Sequence, residues 1–165
     1  MAYPSVVLLS DFGNAGAAAL AGICKSVNPG LSVYELSHDV PKFDIRAAAS
    51  ILSDQLSAWP RGTVFVCAVD PHFTVDQRVL GCLTSDGYIA VGADNGCLSE
   101  VIRRHGVTEL RELTTLNQRY LSAKPAAVQH GRNLVFCAAS IAAANPPFNQ
   151  SGELCDVPED SFSKA

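Results

Sequence analysis

The chain has 165 residues, 48% of them hydrophobic and 17% charged, with a net charge of −4. That length makes one domain able to bury roughly 70% of its unfolded surface, and the composition is that of a folded rather than a disordered chain. The acidic balance, with Arg103-Arg104 as the sole adjacent basic pair, excludes a nucleic-acid footprint, and no apolar run reaches the ~20 residues of a membrane span.

In chain order, the opening MAYPSVVLLSDFG lacks the basic start of a signal peptide. Residues 5–10 read as a short buried strand. An Ala-rich helical pattern over 17–27 follows, stopped by Asn28-Pro29-Gly30. Residues 31–36 read as a second strand. Asp44 stands where it can cap a helix over 45–58, which Trp59-Pro60 ends. Residues 63–69 form a third strand, rich in β-formers and almost continuously apolar. Strand, helix, strand, helix, strand predicts parallel pairing. Residues 79–84 and 88–92 read as a hairpin about Ser85-Asp86-Gly87. A short helix over 97–105, a strand over 107–113 and an Ala-rich helix over 132–144 complete the pattern. The expectation is an α/β fold: a three-layer, mostly parallel sheet with helices on both faces and one hairpin. The domain is expected over 1–145, with a linker or frayed tail over 146–165.

The six cysteines include no C-x-x-C pair and sit mostly within apolar runs. This predicts reduced, buried thiols in a cytoplasmic protein and no zinc site.

In open α/β sheets ligands sit beyond the carboxyl ends of the strands. Asp11, Ser37-His38-Asp39, Asp70 and Asp94-Asn95-Gly96 each follow an apolar strand. Each has a plain structural alternative. Asp11 could cap the next helix, Asp70 could cap a turn, and His38 could bond to backbone. The Phe43 ring could belong to the core, Arg78 could sit in a surface ion pair, and Asp94-Asn95-Gly96 could be a tight turn.

The stretches LLSDFG, VNPG, ELSHDVPKFDIRAAASIL, PRGTVFVCAVDP, VGADNGCL and QHGRN occur in order. Together they resemble the S-adenosyl-L-methionine (SAM) hydrolases, or SAM hydroxide adenosyltransferases, relatives of the fluorinases and chlorinases. The resemblance runs over about residues 5–145. It implies an α/β N-terminal domain, followed in the family by a C-terminal β-barrel that is expected to be absent here. It also implies homotrimers, with the ligand between subunits and possibly a separate chain completing the site. The implied reaction is attack of water on the ribose C5′ of SAM, releasing adenosine and methionine. No cofactor, metal, nucleic-acid or membrane partner is implied; SAM is the substrate.

The resemblance places catalytic roles on Asp70 and His130, and Arg78 is taken as the catalytic arginine on a reading in which the loop shifts register by one residue. Asp70 and His130 would hold the attacking water, and a guanidinium would hold the carboxylate. It places substrate contacts on Asp11, at the ribose diol, and on Phe43, Phe73 and Asn95. The chain departs from the family pattern at several of these positions. Its loop Asp70-Pro71-His72-Phe73-Thr74-Val75-Asp76-Gln77-Arg78 replaces a glycine-rich one, and a gapless reading puts Gln77 at the arginine position. Asn14 to Gly16 replace a polar segment after Gly13, and Asn133 stands for an Asp. These departures support an alternative: a catalytically degenerate nucleoside-binding or scaffold homologue. A different small-molecule enzyme with His72 as base is a third reading.

Overall fold

A computed structural model describes residues 5–69, 78–123 and 131–158, with backbone alone for 121–123. Its strands are β1 (Ser5–Ser10), β2 (Ser32–Ser37), β3 (Val64–Ala68), β4 (Val79–Leu83), β5 (Ile89–Ala93), β6 (Glu109–Glu112) and β7 (Glu153–Leu154). Its helices are α1 (Gly13–Val27), α2 (Ile45–Gln55), α3 (Ser99–His105), α4 (Thr114–Ala123) and α5 (Arg132–Ala142). One sheet runs in the order β2-β1-β3-β5-β4-β6-β7. The β2-β1-β3-β5 half is parallel, as the alternation of elements predicts. The β4, β6 and β7 half is antiparallel, so the sheet is mixed rather than mostly parallel.

Side chains alternate faces along a strand, and each face here feeds its own core. Val6, Leu8, Val64 and Val66 pack with Leu20, Cys24, Leu116 and Val135, from α1, α4 and α5. Val7, Leu9, Phe65 and Cys67 pack with Ala48, Leu52 and Val101, from α2 and α3. Strands covered on both sides need no polar face, which is why β1 and β3 read as unbroken apolar runs. β2, at the sheet edge, shows Tyr34 and Glu35 to solvent.

The helices lie close to their expected places. Asp44 Oδ1 accepts the Ala47 N–H at 2.9 Å and caps α2, which ends in a 3-10 turn over Leu56–Ala58. α1 begins earlier than expected, at Gly13, with the Phe12 side chain over Gly16; a Cβ there would stand 2.6 Å from Phe12 Cβ. The hairpin forms, with Gly87 at φ 96 in its turn.

Two further features differ from expectation. α4 was not foreseen; Leu116 and Tyr120 are its buried apolar side chains among the described residues, at i, i+4 spacing. The tail does not fray over its described part, which runs through residue 158. Phe148 is buried against Gly81 and Leu113, and β7 pairs with β6. An aromatic fitted over a glycine, together with strand pairing, fastens a polar segment whose composition reads as a linker.

Candidate ligand site at the carboxyl edge of the sheet

α1 and α2 leave the sheet on opposite faces, and β1 has β2 on one side and β3 on the other. This places a topological switch between β1 and β3, where open α/β sheets form a crevice beyond the strand ends. Asp11 stands there, one residue past β1, and is 4% exposed. It does not cap α1, whose N-cap is Phe12 without a side-chain bond. Instead, Asp11 Oδ2 accepts the Phe43 N–H at 2.9 Å.

Phe43 is outside the core. It is 61% exposed and holds φ at 65°, a left-handed conformation costly for a residue with a Cβ. The carboxylate of Asp11 helps to hold it there. An aromatic face on strained backbone beside a buried carboxylate suits a planar, hydroxylated ligand.

Asn95 follows β5. Its Oδ1 accepts the Cys97 N–H at 3.0 Å, and its Nδ2 donates to the Val69 carbonyl at 3.3 Å. With Gly96 at φ 94 this is a tight turn, and it also ties the end of β5 to the end of β3. Arg78, just before β4, is an ion-paired residue. Its Nη2 lies 3.0 Å from Asp94 Oδ2 and its Nη1 lies 3.5 Å from Glu112 Oε2. Burial opposes the guanidinium charge, but the Asp94 hydrogen bond and the two carboxylates outweigh it and raise the pKa.

Gly131, the N-cap of α5 at φ 86, comes close to the same edge. A Cβ there would stand 2.6 Å from Phe12 Cζ and 3.0 Å from Ala68 Cβ, so glycine lets α5 start against β1 and β3. Behind it Asn133 Nδ2 donates to Asn117 Oδ1 at 2.6 Å, a buried amide pair between α4 and α5 that the sequence did not announce. Asp70, His72, Phe73, Gln77 and His130 lie outside the described residues.

Among the described residues the His38 ring bonds to a side chain rather than to backbone. Its Nδ1 meets Ser10 Oγ at 2.5 Å, with both side chains buried. Burial lowers its pKa, against the opposing pull of Glu35 and Asp39. Among the described residues no three His, Cys, Asp or Glu side chains gather as a metal would require, and no helix is long and apolar enough to cross a membrane.

This arrangement is an open α/β domain whose strand ends carry a buried carboxylate beside an exposed aromatic residue. The sequence profile of the SAM hydroxide adenosyltransferase N-terminal domain matches residues 6–152, and the chain belongs to that family. It is 30% identical over 152 residues to the (R)-S-adenosyl-L-methionine hydrolase of Salinispora tropica, covering 90% of this chain and 57% of that protein. It is 25% identical to the fluorinase of an Actinoplanes species, again over 90% of this chain and 57% of that one. The fold matches the crystal structure of an uncharacterized conserved protein from Thermotoga maritima. That match has a TM-score of 0.84 at 24% identity, over 92% of this chain and 58% of that one. The chain thus spans less than two thirds of the length of these relatives.

Proposed function

We propose that this domain binds SAM and supports attack of water on its ribose C5′. The new bond is from the water oxygen to C5′. The C5′–S bond breaks, its electron pair goes to sulfur, and methionine leaves as a neutral thioether with adenosine as the other product. A sulfonium leaves readily, so the demand on the protein is to align the water and accept its proton.

In this reading Asp70 orients the water and takes the proton, and His130 completes the water's hydrogen bonding. Asp11 accepts from the ribose diol. Phe43 and Phe73 face the nucleoside, and Asn95 holds the floor between β3 and β5. Assembly as a trimer, with another subunit or chain closing the site, and a cytoplasmic setting belong to the same proposal. The observation that carries it is the pairing of buried Asp11 with the left-handed, exposed Phe43 at the switch between β1 and β3. The identities to proteins named SAM hydrolase supply the chemistry.

Incubation with SAM should release adenosine and methionine in equal amounts, and Asp70→Ala should remove that release. Intact SAM at high protein concentration would reject the enzyme. A second reading, nucleoside binding without turnover, draws on Arg78. Its guanidinium is already engaged by Asp94 and Glu112, so it reaches a catalytic carboxylate only by leaving them. Calorimetry showing adenosine binding with no product release would select that reading.

A further inference from the structure

Three hydrogen bonds join the junction of β1 and α1 to the loop after β2. Ser10 Oγ meets His38 Nδ1 at 2.5 Å, the Gly13 N–H donates to the His38 carbonyl at 2.9 Å, and the Phe43 N–H donates to Asp11 at 2.9 Å. The surroundings favour one direction for the first of these. Ser10 Oγ already accepts the Phe12 N–H at 3.3 Å, so its own proton is free to go to His38 Nδ1. The ring proton then sits on Nε2. That atom is buried, has no hydrogen-bond partner among the described residues, and lies 3.8 Å from Glu35 Oε1. A carboxylate at that distance attracts an N–H and repels a bare lone pair, so Glu35 favours the same tautomer. Burial keeps the imidazole neutral, with Glu35 and Asp39 opposing in part. The order of groups is acid, imidazole, hydroxyl, but Ser10 is no nucleophile: it is fully buried.

We propose that His38 is a positioning residue. Its imidazole, as an acceptor at Nδ1 for the Ser10 hydroxyl, locks the loop bearing Asp11 to the loop bearing Phe43 and so sets the carboxylate and the aromatic ring at ligand-binding separation. The claim about the loops stands on geometry; its consequence for ligand affinity rests on the nucleoside reading above.

The test uses isosteres. The side-chain amide of Asn overlaps Nδ1 of an imidazole, and that of Gln overlaps Nε2. His38→Asn keeps an acceptor for Ser10, and His38→Gln does not. Nitrogen NMR of the wild-type protein at neutral pH should show His38 with a bare Nδ1 and a protonated Nε2. The Phe43 amide touches neither Ser10 nor His38, so its hydrogen exchange reports on loop registry. It should exchange about tenfold faster in Ser10→Ala and His38→Gln, the effect of losing one hydrogen bond, and within about twofold of wild type in His38→Asn. Adenosine affinity by calorimetry should follow the same order. A protonated Nδ1, equal behaviour of the Asn and Gln variants, or unchanged Phe43 exchange would overturn the proposal. Should Ser10→Ala fail to fold, the wild-type tautomer and the Asn–Gln pair still decide. Absence of adenosine binding to the wild type would count against the nucleoside reading alone, because tautomer and exchange judge the positioning role separately.

Discussion

Phe43 carries two demands that conflict. Its backbone sits at φ 65°, where glycine is at ease and a phenylalanine is not, yet the residue is 61% exposed and so returns little burial energy. A residue kept strained and largely exposed is one whose side chain serves something other than stability. Phe43→Gly should therefore raise stability by about 0.5–1 kcal/mol while weakening adenosine binding about tenfold. Denaturant unfolding and calorimetry on the same preparation check both signs, and a loss of stability would show that the ring is a packing group. The motif around Phe43 was visible in the sequence, and so was Asp11. The carboxylate-to-amide bond between them was not, because it joins residues 32 apart through a turn conformation that no local pattern encodes. For the same reason Asp11 read equally well as a helix cap, and His38 as a backbone-bonded ring.

The elements were more legible than their partnerships. β1 and β3 announced themselves because burial on both faces forces unbroken apolar runs, and α2 did so through its Asp44 cap. α4 did not, since only Leu116, Asn117 and Tyr120 of its described side chains are buried and it carries no strong apolar stripe. The tail misled for a different reason. Polar, proline-containing composition reads as a linker, and what fastens the segment is shape: Phe148 over Gly81, and Gly152 crossing so close to β6 that a Cβ would stand 2.0 Å from the Glu112 carbonyl oxygen. Phe148→Ala should cost about 3 kcal/mol, as for other buried aromatics. Gly152→Ala should free the tail to limited proteolysis while the rest of the sheet keeps its amide protection. A tail equally resistant in both variants would mean that these contacts are incidental.

Across the whole molecule, the end of the sheet away from the ligand edge is tied by a charge. His105 Nδ1 donates to Asp86 Oδ2 at 2.7 Å and its Nε2 donates to the Ser53 carbonyl at 2.9 Å. Both ring nitrogens face acceptors, which calls for the imidazolium. Burial opposes the charge, but the Asp86 and Ser53 bonds outweigh it and raise the pKa above 6.5. For Asp86, burial is likewise outweighed, by His105 and Thr84, and its pKa falls below 3.8. The histidine contribution is full below its unfolded pKa of about 6.5 and is lost as pH rises through the raised folded value. The Asp86 contribution is full above its unfolded value and is lost as pH falls through the lowered one. Thermal stability should therefore decline from pH 6 to pH 8 by about 1 kcal/mol from this pair, discounted for the partly exposed carboxylate. His105→Asn should flatten that decline; an unchanged slope would place the titrating group elsewhere.

The proposed hydrolysis belongs to the other end of the same sheet. Freshly purified SAM, incubated with the chain at high concentration and followed by chromatography, should yield adenosine and methionine in equal amounts, with no release from Asp70→Ala. SAM recovered intact with the wild type, or product formed equally well by the alanine variant, would contradict it.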